Sequence, residues 1–433
     1  MTSRESAITI FNSAVAAVQP EHLIPAQLRL TGDTLHIIDQ QVSIAANPKI
    51  YVIGGGKASA AMALAVEKML GDRITAGIVV TKYAHSLPLE TIICLEAGHP
   101  VPDEAGLAAT KEMINLLQKA REDDIIICLI SGGASSLWID LPNGISLEDM
   151  QVIYQLLQKC GASIDEMNCV RKHLSAIKGG QLLRYAPSSK WFSLVISDVP
   201  GNDLSVIASG PTVPDTGRFS DVAATLEKYS LADKLPASVK RHIQLGIDGL
   251  IEETPKSEDP VFQQVYQKII GSNIIALEAA AIQARAIGYE HIYISNDLCG
   301  DAALIGQGIV NDLEQYSGGL PACFLYGGET TVAVSGHGKG GRNQHLALSA
   351  VAVMNKNNIT LLAAGTDGTD GPTDAAGAIA DMQVISTMRD RMLDPAHYLE
   401  NHDAYHFFEQ VGALLKTGAT QTNVMDLVIG IIN

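Results

Sequence analysis

The stretch Ile50-Tyr51-Val52-Ile53-Gly54-Gly55-Gly56-Lys57-Ala58-Ser59-Ala60-Ala61-Met62-Ala63 decides the fold class. Its apolar opening reads as a strand buried on both faces, its glycines as a tight turn, and its small residues as a closely packed helix. Working outward, the same grammar recurs. Gly77-Ile78-Val79-Val80, Ile92-Ile93-Cys94-Leu95 and Ile125-Ile126-Ile127-Cys128-Leu129-Ile130 are continuous apolar runs, separated by helical segments over 58–70 and 104–119. Continuous runs between helices predict a mainly parallel sheet covered on both faces.

Phe192-Ser193-Leu194-Val195-Ile196 reads as a further strand leading into Asp198. Residues 220–256 are helical, charged and punctuated by proline, and the domain boundary is expected there, giving domains 1–235 and 236–433. Strands are then expected at 273–277, 291–294, 322–326, 360–364 and 424–429. Residues 330–334 are expected to pair antiparallel with their predecessor across Gly327-Gly328-Glu329. Before residue 50, an amphipathic helix places Ile8, Phe11, Val15 and Val18 on one face, and residues 28–44 read as a small hairpin around Thr31-Gly32-Asp33.

At 433 residues, with 47% hydrophobic and 18% charged residues, the chain is too long for one small module and too apolar for broad disorder. Thirty Lys plus Arg against 47 Asp plus Glu give a formal charge of −17, which disfavours non-specific nucleic-acid binding. The six cysteines include no CxxC pair and read as reduced thiols. No apolar run approaches the ~20 residues of a membrane span, so a cytoplasmic protein without membrane partners is expected.

Four probable strands run into glycine loops: Gly54-Gly55-Gly56-Lys57, Ser131-Gly132-Gly133-Ala134-Ser135-Ser136, Gly327-Gly328-Glu329-Thr330 and Gly365-Thr366-Asp367-Gly368. Each alone is ordinary turn chemistry, but in open α/β sheets such loops face the ligand crevice and let backbone N–H groups approach an anion. Lys57 at a helix start favours an anionic ligand. Gly336-His337-Gly338-Lys339-Gly340-Gly341 matches GxGxxG, although Lys339 and the following Arg342 suit an anion clamp better than a dinucleotide turn. Asp198, Asp203 and Asp367 supply carboxylates at strand ends, readable either as Asx turns or as ligands for a hard cation. Arg171-Lys172-His173 with Lys178 reads equally as a solvated face or an anion site. His402 and His406 have the spacing of a zinc helix, yet lie in a polar stretch that reads as surface. Ser135 and Ser136 lack a G-x-S-x-G elbow, against a serine hydrolase.

Together with Gly98-His99-Pro100-Val101-Pro102-Asp103, Ser197-Asp198-Val199-Pro200-Gly201-Asn202-Asp203, Gly210-Pro211-Thr212 and Gly340-Gly341-Arg342-Asn343-Gln344, these segments resemble the class II glycerate kinase family, whose C-terminal module is the MOFRL domain. The resemblance runs from about residue 5 to the C-terminus. It implies an α/β architecture: a Rossmann-like N-terminal domain, a smaller C-terminal domain with a mixed sheet, and an active site in the interdomain cleft. It also implies ATP-dependent phosphorylation of D-glycerate to 2-phosphoglycerate, with ATP as co-substrate and Mg²⁺ or another divalent cation. A homo-oligomer is compatible with it.

Carried over motif by motif, the resemblance makes Lys57, Asp198 and Arg342 the catalytic residues. Gly55, Gly56, Ser131, Gly132, Gly133, Ser135, Ser136, Asn202, Lys339, Glu329 and Asp367 would bind substrate or phosphate, and Asp198, Asp203 and Asp367 would hold the metal. Alanine at Lys57 or Arg342 is expected to lower turnover by orders of magnitude with stability nearly intact. The alternative is an NAD(P)H-dependent hydroxypyruvate reductase, against which no acidic ribose-binding residue stands ~20 positions past the 336–341 glycines. A non-enzymatic anion sensor is a further alternative.

Overall fold

The Ile50–Gly55 strand is buried at every position, as its continuous apolar sequence requires. A computed structural model describes residues 1–433 and divides them into two units, one of Leu23–Ile270 and one of Met1–His22 with Gly271–Asn433. The Leu23–Ile270 unit holds a 6-stranded sheet in the spatial order 92–97, 76–82, 50–55, 125–130, 190–196, 265–271. The strands from 92–97 through 190–196 are parallel, and 265–271 adds at the edge. In chain order this is the doubly wound 3-2-1-4-5-6 arrangement, whose direction reverses between Ile50–Gly55 and Ile125–Ile130. Tyr51, Ile53, Val80, Ile126, Trp138 and Trp191 pack in the core of this sheet. Helices Leu147–Lys159, Ile164–His173, Phe219–Lys228 and Ala237–Ile247 surround a second core that includes Ile153, Val170 and Val222. The expected hairpin is a 3-stranded antiparallel sheet, 28–31, 34–37 and 40–43.

The other unit carries a mixed 6-stranded sheet ordered 291–301, 322–331, 426–432, 359–365, 377–381, 414–415. Its first pair is parallel and the remaining pairs are antiparallel.

The division differs from the expected one after residue 235. The Val265–Gly271 strand completes the first sheet, and the N-terminal helix Ser3–Ala17 packs with the second unit. That helix is closed by a Thr2/Glu5 capping box and buries Ile10, Phe11, Ala14 and Val15. Arg4 pairs with Asp381 at 2.8 Å, and the Thr422 hydroxyl donates to the Val18 carbonyl at 2.6 Å.

Two strand expectations are corrected. Residues 273–277 open the helix Asn273–Ala286, because Ala276, Leu277, Ala280, Ala281 and Ala284 recur at helical spacing and are buried together. The turn expected at 327–329 does not form. Ala322–Thr331 runs straight through it, paired with 291–301 and 426–432, and the irregularity falls instead in a register shift between Ser295 and Leu298.

All six cysteines are free, with Cys128 and Cys323 buried and Cys299 exposed. No helix is long and apolar enough to cross a membrane.

Candidate active site

In the Leu23–Ile270 unit, the loops after Ile50–Gly55 and Ile125–Ile130 leave neighbouring parallel strands at the point where the sheet reverses. This is where open α/β sheets bind ligands. The two loops are laced together. Ser131 N–H donates to the Gly55 carbonyl at 3.0 Å, Lys57 N–H to the Gly132 carbonyl at 2.8 Å, and Ala58 N–H to Ser131 Oγ at 3.0 Å. Ser131 is fully buried, and its hydroxyl holds the Lys57 turn in shape. Gly56 has φ +127, and a Cβ there would stand 2.2 Å from Ser131 Oγ, so only glycine fits this crossing.

The Lys57 stem and the His99 ring both lie against Gly133, whose φ of +84 starts the short helix Ala134–Leu137. His99 thus stands beside the candidate site. Ser135 Oγ lies 3.1 Å from Ser209 Oγ, while Ser136 Oγ turns back to the Gly133 carbonyl at 3.1 Å. Asp198 leaves the carboxyl end of Lys190–Ile196, the next parallel strand over, and is half-buried. Lys57, the 131–136 loop and Asp198 therefore share the carboxyl edge of three adjacent strands. Asn202 ends the turn Pro200–Asn202 with φ +57, a conformation asparagine tolerates well.

In the second unit, Arg342 begins the helix Arg342–Val353. Its Nε and Nη2 donate to Asp426 at 2.5 and 3.0 Å, and its Nη1 donates to Glu329. The Asp426 side chain is 1% exposed against 34% for Arg342, so the guanidinium is gripped from below. Sequence reading missed Asp426; an acidic residue opening the last strand is its only signal. Glu329 serves here as a partner of Arg342. Lys339 Nζ sits 4.2 Å from the centre of the Tyr405 ring, a cation–π contact that occupies it.

The GxGxxG stretch is filled by protein. Gly338 N–H donates to the Asn401 carbonyl, and a Cβ on Gly336 would lie 2.3 Å from that same oxygen. The helix N-terminus that would receive a pyrophosphate is capped instead by Asp370, which accepts from Gln344 N–H at 2.8 Å and Asn343 N–H at 3.1 Å. Neither feature fits a dinucleotide turn. His402 has φ +53 and precedes the helix Ala404–Val411, so it does not share a helix face with His406.

Burial pushes the Asp370 carboxyl up to about 7, against the pull of its two backbone N–H donors. The folded value lies above the ordinary 3.8, so this group's contribution to stability is full below about pH 4 and is lost as pH rises through about 7. Asp370→Asn is accordingly expected to gain melting temperature relative to wild type between about pH 4 and pH 8. A difference that stays constant across that range contradicts the assignment.

Of the residues expected to hold a metal, Asp198 and Asp203 belong to the Leu23–Ile270 unit and Asp367 to the other, and no group of three or more His, Cys, Asp or Glu side chains that could hold a metal ion is formed. Asp203 Oδ1 accepts Ser205 N–H at 2.8 Å, and Asp367 Oδ1 accepts both the N–H and the hydroxyl of Thr369 at 3.0 Å, the geometry of Asx turns. One carboxylate oxygen each of Asp203 and Asp367 is thus engaged within its own turn.

One unit thus carries a lysine turn laced into a serine-glycine loop at the reversal of a parallel sheet, and the other an arginine held by two carboxylates. Residues 6–244 match the family described as "Domain of unknown function (DUF4147)", and residues 322–426 match the MOFRL family. The chain is 40% identical to the glycerate 2-kinase of Pyrococcus horikoshii over 100% of its own length and 98% of that protein's. It is 42% identical to the D-glycerate 2-kinase of Thermotoga maritima over 89% and 91% of the two lengths. A relative from Agrobacterium vitis, 40% identical over 99% of this chain and 94% of its own, is provisionally named a hydroxypyruvate reductase. The crystal structure of the Thermotoga maritima glycerate kinase matches with a TM-score of 0.86 at 38% identity, covering 99% of each chain. The chain belongs to the class II glycerate kinase family.

Proposed function

We propose that this protein transfers the γ-phosphoryl group of ATP to the 2-hydroxyl of D-glycerate, giving 2-phosphoglycerate and ADP. The observation that carries this reading is the laced Lys57–Ser131 turn at the sheet reversal, in a chain that aligns end to end with a glycerate 2-kinase.

Phosphoryl transfer asks little covalent chemistry of a protein; it asks that two anions be held in line while charge is neutralised. Lys57 supplies a cation on a rigid turn, and the 131–136 loop supplies the backbone around the moving group. Asp198 orients the 2-hydroxyl and accepts its proton as the new O–P bond forms and the bond to the ADP oxygen breaks. Arg342 stabilises the charge spread over the transferring oxygens, its orientation fixed by Asp426 and Glu329.

Glycerate-dependent release of ADP in a coupled assay is the expected result. Oxidation of NADPH or NADH by hydroxypyruvate, with no ADP formed from glycerate and ATP, would favour the reductase alternative. The filled 336–341 stretch weighs against that alternative.

A further inference from the structure

Of the basic run Arg171-Lys172-His173, two members are spent inside the fold. Lys172 pairs with Asp215 at 3.0 Å with both side chains buried, and His173 Nδ1 and Nε2 contact the Cys169 carbonyl and Glu253. Arg171 is different. Its Nε is buried with no hydrogen-bond partner, and its guanidinium carbon stands 5.0 Å from the centre of the Tyr154 ring. One helical turn earlier, Asn168 is 3% exposed; its Oδ1 accepts the Ser209 hydroxyl at 3.0 Å while its Nδ2 donates to nothing.

That pair of unpartnered donors lies beside the candidate active site. Ser209 Oγ is 3.1 Å from Ser135 Oγ in the 131–136 loop. Lys178, 2% exposed, donates from Nζ to the Trp138 carbonyl at 2.7 Å, immediately after the short helix that carries Ser135. Ala208 and Ser209 are held at φ +54 and +58, backbone strain of the kind that gathers at binding sites. Asp140, whose carboxylate accepts the Ser175 hydroxyl at 2.5 Å and the Ala176 N–H, interacts electrostatically with Lys178. Two cations and one carboxylate leave the cluster with one net positive charge.

Buried donors without acceptors cost about 1–3 kcal/mol each, and a ligand that brings only acceptors removes that cost. We propose that Asn168 and Arg171, backed by Lys178, form the subsite for the carboxylate of the acceptor 2-hydroxy acid, beside the loop that handles the phosphoryl group. This rests on the glycerate kinase reading. A planar guanidinium and an amide suit a planar carboxylate, and a single net positive charge matches a monoanion better than a triphosphate.

The test is calorimetric binding of D-glycerate without ATP, together with steady-state kinetics, on wild type and Arg171→Gln, each checked by melting temperature. In the variant, the glycerate Kd and KM are expected to rise roughly 30-fold while the ATP KM stays within about twofold. Unchanged glycerate binding, or a rise in the ATP KM alone, overturns the subsite even where turnover persists. Wild-type protein that binds glycerate in an Arg171-dependent way without turning it over keeps the subsite and removes the kinase reading. Should Arg171→Gln fail to fold, Asn168→Asp provides the same discrimination. A carboxylate there is expected to weaken glycerate binding by repulsion, and wild-type affinity in that variant overturns the proposal.

Discussion

Replacing Lys57 by alanine is expected to reduce kcat by roughly 10³-fold while moving the melting temperature by no more than about 2 °C. The reason lies in how the residue divides its work. Its backbone is structural, since Lys57 N–H bonds the Gly132 carbonyl and its own carbonyl accepts the Thr81 hydroxyl at 3.4 Å. Alanine keeps both bonds, and the helix that begins at Ser59 favours a small residue near its start. What is lost is the ammonium group, which the proposed mechanism needs against the phosphoryl oxygens. Wild-type kcat in a folded Lys57→Ala variant would remove Lys57 from the mechanism; a collapse in melting temperature would make the side chain structural.

Arg342→Ala is expected to abolish turnover and, unlike Lys57→Ala, to destabilise the protein by about 3 kcal/mol. Sequence reading expects stability to survive this change; the structure corrects that. Asp426 is 1% exposed, and both its oxygens are held by the arginine, so truncation leaves a buried carboxylate without its cation. The double change Arg342→Ala with Asp426→Asn should recover most of the melting temperature and none of the activity. Thermal unfolding and kcat measured on the single and double variants separate these terms. Recovery of activity in the double variant would show that Arg342 acts only by neutralising Asp426.

The Rossmann-like half was legible because its signals are local and consistent. Ile125–Ile130 and Ile50–Gly55 open as continuous apolar runs, and each leads into a glycine loop where the sheet reverses. The second half misled where composition was ambiguous. Asn273-Ile274-Ile275-Ala276-Leu277 has the apolar content of a strand, and only the alanines beyond it reveal the helical stripe. Gly327-Gly328 looks like a turn, yet pairing on both sides keeps it extended.

Lys57 and Arg342, the proposed catalytic residues, can be named from motifs, while long-range contacts such as those of Asp426 and Asn168 cannot. Asp426 reaches Arg342 from 84 positions away, and Asn168 reaches Ser209 from 41. Sequence shows that Ser131 carries a hydroxyl and not that this hydroxyl accepts the Ala58 N–H. Likewise the sequence does not show that one oxygen each of Asp203 and Asp367 accepts hydrogen bonds from its own turn.

The central claim is tested most directly by ³¹P NMR of the purified protein with ATP, Mg²⁺ and D-glycerate. A growing 2-phosphoglycerate resonance matched by ADP is the predicted result, because it reports transfer and the acceptor hydroxyl together. Folded protein that leaves ATP and glycerate unchanged, or a resonance of 3-phosphoglycerate, contradicts the account: the first removes the kinase and the second misplaces the hydroxyl that Asp198 is proposed to serve.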